Sequence, residues 1–220
     1  MIQGEYDYGL WPAVIINVML ILFFALSFLA PKGKWEWRSL GMFTGFLVAL
    51  FSEMYGFPLT IYILTSILGS KYPVLNPFSH VNGHLLRVLL GGGDLVFGLI
   101  HLVSNGLIVI GIVIMGKGWR KIHAAGEQLV IDGIYSRIRH PQYAGLFIVS
   151  VGLMIQWPTL VTLLLWPVMI VVYYRLAMRE ERRMFELFGE RYLDYRKSVP
   201  AFLPRFWAKK ETEQLGEISA

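Results

Sequence analysis

Long runs without charge are the feature of this sequence that most limits how it can fold. Residues 11–30 form a run of 20 residues without a charged side chain, and residues 143–174 form a run of 32. A helix rises 1.5 Å per residue, so the first run spans roughly the 30 Å hydrocarbon thickness of a bilayer. Only 16% of the residues are charged, against about a quarter in soluble domains. The chain is therefore predicted to be an integral membrane protein made of helices.

Two further apolar segments precede the longest run. One covers residues from about 40 to 68 and is interrupted by FSEMYGFP, in which Gly56 and Pro58 can bend or break a helix. Glu53 is a lone acid within that interruption. The other apolar segment runs from about 94 to 115 and is predicted to be a single span.

The run at 143–174 is longer than one span needs and shorter than two full spans. Pro158 lies near its middle, and a central proline kinks or breaks a helix. The pattern favours a hairpin of two shortish helices over one straight helix.

The distribution of basic residues favours the same topology. Eighteen of the 20 Lys and Arg residues fall in the 32–38 link, in the 117–140 loop, or from Arg175 onward. The positive-inside rule assigns all three places to the cytoplasm. With the N-terminus outside, three spans bring 117–140 to the cytoplasm, and only a hairpin returns Arg175 to that side. The C-terminus is then cytoplasmic as well.

The predicted fold is all-α, a polytopic transmembrane bundle of about three spans, a helical hairpin and a C-terminal amphipathic helix. The amphipathic helix is predicted because Met184, Phe188, Tyr192 and Tyr195 recur at helical spacing. Three regions are expected. They are N-terminal transmembrane helices with a polar loop (1–92), a core with the functional site (93–210) and a polar tail (211–220).

The hairpin brings two polar motifs to one membrane face, GIYSRIRHPQYAG at 133–145 and the segment 178–204. Glu180 and Glu181 could hold an ammonium group, and Arg139 and His140 could hold a carboxylate or donate hydrogen bonds. With aromatic rings nearby, such a set suits a zwitterionic cofactor.

These motifs carry a resemblance. The pattern RHPxYxG, followed after the hairpin by a pair of glutamates and then by FGxxYxxYxxxVPxxLP, resembles the isoprenylcysteine carboxyl methyltransferase and phospholipid methyltransferase families. The resemblance implies a membrane methyltransferase that uses S-adenosylmethionine and a lipophilic or amphipathic small acceptor. It implies a cofactor pocket made by Tyr135, Arg139, His140, Pro141, Tyr143, Gly145, Glu180 and Glu181.

Within that pocket, one of Glu180 and Glu181 is expected to bind the α-amino group of the cofactor. Gly145 would allow close approach of the cofactor or of a neighbouring helix, and Arg139 is either a cofactor contact or a headgroup anchor. Ser198 stands where an arginine commonly precedes VP in the carboxyl methyltransferases. The acceptor is therefore expected to be an amine, thiol or hydroxyl rather than a carboxylate, with Arg196 as a candidate substrate contact.

Other interpretations remain open. Arg139 and His140 could cap the hairpin at the interface, the two glutamates could form a solvated face, and the chain could be a non-catalytic membrane protein that keeps the fold. Glu53 could line an acceptor pocket or make a buried structural hydrogen bond.

No metal is expected, because the histidines at 80, 84, 101 and 123 match no compact ligand spacing. No nucleic-acid partner is expected, because the basic residues flank apolar spans, where anionic lipid is the nearer partner. The sequence assigns neither a catalytic residue nor an oligomeric state.

Overall fold

The computed structural model describes residues 7–29, 34–68, 79–126 and 128–204, and all regular secondary structure in these ranges is helical. The α-helices are α1 (Trp11–Leu29), α2 (Lys34–Phe51), α3 (Leu59–Leu68), α4 (Leu85–Leu89), α5 (Asp94–Ala125), α6 (Pro141–Gln156), α7 (Leu160–Phe188) and α8 (Glu190–Ser198). The all-α prediction is confirmed. The predicted tail at 211–220 lies outside the described residues.

Helices α5 and α6 pack at backbone contact along a seam of glycines. A Cβ atom placed on Gly145 would lie 2.5 Å from the carbonyl oxygen of Gly111, and one on Gly152 would lie 2.8 Å from that of Ser104. Gly118 is closed in the same way by the ring of Pro141. Small residues permit this close approach and the van der Waals contact that it gives. This contact is important in a membrane, because the hydrophobic effect does not drive helices together in lipid.

The centre of the bundle lies where α2 meets α6 and α7. Phe46 and Leu47 of α2, Leu146 of α6, and Met169 and Tyr173 of α7 are buried in a single hydrophobic cluster. Tyr173 donates a hydrogen bond to the carbonyl of Ser39 at 3.0 Å. That bond places the beginning of α2 beside the second half of α7.

The predicted hairpin is present. Helix α6 ends at Gln156 and α7 begins at Leu160, where Thr159 and Thr162 form a reciprocal capping box. His140 at the start of α6 meets Glu181 near the end of α7, so the two helices run in opposite directions. The second helix is longer than expected, with 29 residues.

The interruption in the second apolar segment is a sharp bend. Residues Ser52–Gly56 form a π-helical turn, and the segment on either side of it turns by 70°. Glu53 Oε2 accepts the backbone N–H of Thr60 at 2.8 Å, so the carboxylate satisfies a free donor in the first turn of α3. The bend predicted from Gly56 and Pro58 is confirmed.

Two predicted boundaries were wrong. Helix α5 does not end near Met115 but continues to Ala125, so the first part of the predicted basic loop is helical. The predicted C-terminal amphipathic helix is instead the last part of α7 followed, after Gly189, by the short α8. Its apolar side chains still cluster as the spacing indicates, with Tyr192 and Tyr195 buried against Met184 and Phe188.

Length and composition allow two described helices to cross a bilayer, α5 and α7, and a third span if the bent pair Trp37–Gly56 and Leu59–Leu68 counts as one. Trp11–Phe23 and α6 are apolar but shorter. The described residues thus form a helical membrane bundle. Its basic segments at 117–126 and 175–197, together with the beginning of α2, lie toward the same end.

Candidate active site

The site forms where the RHP motif meets the VPAF segment that follows α8. The backbone N–H groups of Arg139 and His140 donate to the carbonyls of Pro200 and Ala201, each at 2.9 Å. Phe202 then lies against the His140 ring, with centroids 5.5 Å apart. Main-chain hydrogen bonds therefore join two motifs whose paired residues are 61 apart in the chain.

Glu181 is the centre of the polar cluster and is only 3% exposed. Its Oε1 lies 2.7 Å from Arg139 Nη2 and 3.1 Å from His140 Nε2. Arg196 Nε approaches Oε2 to 3.1 Å as an ion pair, without hydrogen-bond alignment. A buried carboxylate requires such compensation, because an unpaired charge out of water is costly.

Arg139 is fully occupied by protein groups. Besides Glu181, its guanidinium donates to the carbonyl of Arg196 at 2.8 Å and to that of Val199. A planar guanidinium with five donors is suited to several acceptors at fixed angles. The side chain clamps the C-terminal segment onto α7. The two roles expected for it, cofactor contact and headgroup anchor, stay predictions.

Glu180 has a different environment from its neighbour. Its side chain is 36% exposed, and Oε1 accepts a hydrogen bond from the Tyr143 hydroxyl. His140 Nδ1 lies 3.6 Å from Oε2. Adjacent residues on a helix differ by about 100° in direction, so one carboxylate faces inward and the other opens toward solvent. Glu180 is the carboxylate that a ligand can reach.

His140 stands between the two glutamates. Burial would lower the pKa of the imidazole, but the hydrogen bonds and negative charges of Glu180 and Glu181 outweigh burial and raise the pKa above its usual 6.5. Protonated His140 would donate to both carboxylates. The ring also stacks on Tyr143, with centroids 5.8 Å apart.

Tyr135 lies behind this cluster. Its carbonyl accepts the Tyr195 hydroxyl at 2.7 Å, and its own hydroxyl is buried without a hydrogen-bond partner in the described part of the chain. Burial raises the pKa of Tyr135, and the nearby Tyr195 and Glu180 add to the effect. The residue is therefore close to the site, with one polar atom available.

Two motif residues have structural positions. Pro141 is the first residue of α6 and packs on Gly118, a position where the missing N–H costs nothing. Of the two roles expected for Gly145, the structure supports close approach of a neighbouring helix, because α5 fills the space beside it.

Glu53 is not brought to the site. It binds Thr60, whose hydroxyl accepts the N–H of Leu160 at 2.9 Å, and Leu160 begins the helix in which Glu181 lies near the end. The 20 residues between Leu160 and Glu181 correspond to about 30 Å of helix. Of the two roles considered for Glu53, the buried structural hydrogen bond is the one observed.

Histidines 80, 84 and 101 also lie far from the site. They form an aromatic cluster with Trp157, whose ring centroid is 4.8 Å from that of His80 and 4.9 Å from that of His84. Across the described ranges, no three His, Asp or Glu side chains are grouped as ligands for a metal ion.

Sequence reasoning did not identify Phe202 or Tyr195 as parts of the site. Both lie in the motif FGxxYxxYxxxVPxxLP, Tyr195 at a specified position and Phe202 at an unspecified one. A large aromatic residue beside VP was the available signal for Phe202. The sequence alone does not show that Phe202 contacts His140, because that contact depends on the backbone hydrogen bonds of Arg139 and His140.

Comparison with known proteins agrees with this arrangement. Residues 94–191, which include α5, α6, α7 and the glutamate pair, match the phospholipid methyltransferase family. This match confirms the resemblance predicted from the RHP and glutamate motifs.

Three relatives illustrate how far the similarity extends. Protein-S-isoprenylcysteine O-methyltransferase of Schizosaccharomyces pombe is 36% identical over 77 residues, which is 34% of this chain and 33% of that protein. Protein-S-isoprenylcysteine O-methyltransferase A of Arabidopsis thaliana is 28% identical over 155 residues, 64% of this chain and 78% of the relative. Methanethiol S-methyltransferase 2 of Bradyrhizobium diazoefficiens is 25% identical over 216 residues, 93% of this chain and 78% of the relative. The chain spans a third or less of the first fungal and mammalian relatives that it matches.

Proposed function

We propose that the chain is an integral membrane methyltransferase that uses S-adenosylmethionine to methylate a lipophilic or amphipathic small acceptor at the cytoplasmic membrane face. The observation that carries the proposal is the unequal glutamate pair. Glu181 is buried and neutralised by protein cations, whereas Glu180 is held by Tyr143 with part of its surface open. Glu181 therefore holds the protein part of the site together, and Glu180 offers a ligand a partly exposed negative charge.

The residues fit the proposed cofactor. S-adenosylmethionine carries an ammonium, a carboxylate and a sulfonium, and the site offers Glu180 for the first and the half-exposed Arg196 for the second. The stacked rings of His140, Tyr143 and Phe202 give flat faces for an adenine or a cation. The unpaired Tyr135 hydroxyl is a further donor.

When bound, S-adenosylmethionine supplies an already activated methyl group. The task of the chain is then to hold the ligand in one orientation and to bring the acceptor alongside. Glu181 contributes indirectly, because it fixes Arg139 and His140 against the C-terminal segment. Proximity and orientation can account for a large part of such a rate enhancement.

A small thiol is the first acceptor to test. Ser198 is exposed and donates to the carbonyl of Tyr195 at 2.9 Å, so it does not replace the charge of the arginine common at that position. The relative that matches along 93% of the chain, including the helices before Asp94, is named for methanethiol. Both observations favour a thiol over a prenylcysteine carboxylate.

Ligand binding tests the cofactor assignment. Calorimetry on the protein in detergent is expected to show binding of S-adenosylmethionine and S-adenosylhomocysteine. Glu180→Gln is expected to weaken both by roughly 10- to 100-fold, since a hydrogen bond to a charged group contributes about 1.5–3 kcal/mol. Glu186→Gln, an exposed acid on the same helix, is the matched control and should bind normally. Absence of binding by wild type, or equal affinity of Glu180→Gln and wild type, would contradict the assignment.

Product analysis tests the reaction. With labelled S-adenosylmethionine, label is expected in methylated methanethiol or in the lipid-extractable fraction of host membranes. Cofactor binding without transfer to any of these acceptors would support the non-catalytic alternative instead. If a prenylcysteine analogue proves the best acceptor, the thiol preference is wrong while the methyltransferase proposal stands.

A further inference from the structure

A cleft with a volume of about 1190 Å³ lies beside the candidate active site. It runs along the outer face of α5 and α6 and is bounded below by residues 133–138 and 202–204. Neither glutamate of the pair lines it. Phe202 stands between the cleft and His140, so the cleft and the cofactor contacts share a wall but are separate surfaces.

One end of this cleft is basic. Lys117, Arg120 and Lys121 occupy positions three and four residues apart on α5 and therefore share a face, and Arg137 approaches from the opposite side. Lys121 is paired with Asp132. The other three cations form no ion pair with any acidic side chain in the described ranges.

The other end of the cleft is apolar. Val113 and Ile114 precede the basic residues on α5, and Phe147 and Ile148 of α6 face them with Leu203. From Val113 to Lys121 the helix rises about 12 Å. The side chains that line the cleft therefore change from apolar to positively charged over about 12 Å, which matches a lipid headgroup and the first part of its acyl chain.

We infer that this cleft binds an anionic phospholipid, with its phosphate against Lys117, Arg120 and Arg137 and an acyl chain along Val113, Ile114 and Phe147. Three cations without acidic partners complement a phosphodiester, and basic side chains at a membrane surface each contribute about 1 kcal/mol toward anionic lipid. The apolar wall distinguishes a lipid from a free anion. This inference does not depend on the proposed methyl transfer.

Lipid titration of the purified protein in dodecyl maltoside, followed by native mass spectrometry, tests the inference. Dioleoyl phosphatidylglycerol is expected to bind at least tenfold more tightly than dioleoyl phosphatidylcholine. The variant Lys117→Gln, Arg120→Gln, Arg137→Gln should lose that preference. The variant Arg182→Gln, Arg183→Gln, Arg191→Gln removes the same charge from exposed positions outside the cleft and should keep it.

Two further measurements separate the alternatives. Glycerol phosphate and inorganic phosphate should compete only weakly with phosphatidylglycerol, and full competition by either would show a free-anion site and overturn the inference. Displacement of the lipid by S-adenosylhomocysteine would also overturn it, because the cleft would then belong to the cofactor. Equal loss of lipid preference in both triple variants would show that the preference comes from the net charge of the protein and would overturn the inference. Cofactor affinity is expected to remain unchanged in both.

Discussion

Arg139 and Glu181, 42 residues apart in the chain, form the ion pair on which the candidate site is built. The Arg139 side chain is 11% exposed and the Glu181 side chain 2%. The Arg139 guanidinium also binds the carbonyls of Arg196 and Val199. The pair thus links the beginning of α6 and the end of α7 to residues 196–199 at the end of α8. These links explain why a polar cluster lies at the start of an apolar helix.

Arg139→Gln is expected to destabilise the protein by about 3–5 kcal/mol, because removing one partner leaves a buried charge uncompensated. Arg139→Lys should recover only part of this loss, since an ammonium cannot reach three acceptors in the geometry of a planar fork. Thermal unfolding in detergent measures both. Arg183→Gln, an exposed control on α7, should unfold like wild type. An Arg139→Gln protein as stable as wild type would disprove the clamp.

His140 should make stability depend on pH. Its pKa is raised in the folded state by Glu180 and Glu181, so its contribution is complete below the unfolded value of 6.5 and is lost as pH rises through the folded value. The stability difference between wild type and His140→Gln should therefore shrink from pH 6 to pH 9. Unfolding midpoints across this range measure it. A stability difference that does not change with pH would contradict the prediction.

Much of this fold could be predicted because charge-free runs in a membrane have few alternatives to helices. Pro158 and the basic segments together indicated the hairpin. Helix α5 was predicted too short, because its last ten residues include Lys117, Arg120 and Lys121 and the prediction followed hydropathy. Backbone hydrogen bonding continues past the apolar stretch, so these residues are helical. The helix ends at Gly126, whose φ is 59°.

The sequence predicted that the RHP and glutamate motifs lie together, but not how each side chain is oriented. Spacing alone could not show that Glu181 faces inward and Glu180 outward, since that depends on how α7 rotates against α6. Nor could it show that the donors of Arg139 are used by carbonyls of the distant segment 196–199. Glu53 could not be interpreted from sequence for a different reason. An acid in an apolar run suggested a ligand site, but the bend at Ser52–Gly56 leaves the backbone N–H of Thr60 free to donate to its carboxylate.

Gly145→Ala is expected to disturb the α5–α6 seam. Its methyl group would lie 2.5 Å from the Gly111 carbonyl and 2.6 Å from Met115 Cγ, and such overpacking typically costs about 1–3 kcal/mol. Gly106→Ala, on the neighbouring helix α5 and with nothing within 4 Å of the added Cβ, is the control and should be neutral or slightly stabilising. Thermal unfolding of the two variants separates packing from propensity. Equal stability of Gly145→Ala and Gly106→Ala would contradict the seam.

Glu53→Ala should reduce stability by about 0.5–2 kcal/mol, as the loss of a capping acceptor does, whereas Glu53→Gln keeps an acceptor oxygen for the Thr60 N–H and should lose less. Neither change should alter cofactor affinity, because the residue lies near the opposite end of α7. Unfolding midpoints and calorimetry on the same samples measure the two effects. A large fall in turnover in Glu53→Gln, with stability and cofactor affinity unchanged, would return Glu53 to the acceptor pocket.

Membrane sidedness is predicted from the basic segments. The native chain contains no cysteine, so single cysteines at Arg120, Arg183 and Leu90, all exposed, can be labelled without background. With a membrane-impermeant maleimide on intact cells, Leu90→Cys should react, and the other two should react only after the membrane is opened. The end of α5 and the end of α7 lie at the same end of the bundle, so their cysteines should behave alike. Labelling of Arg120→Cys and Arg183→Cys from opposite sides would contradict the hairpin itself. Labelling of both from outside would preserve the hairpin and reverse the predicted orientation, placing the glutamate pair on the face away from the cytoplasm.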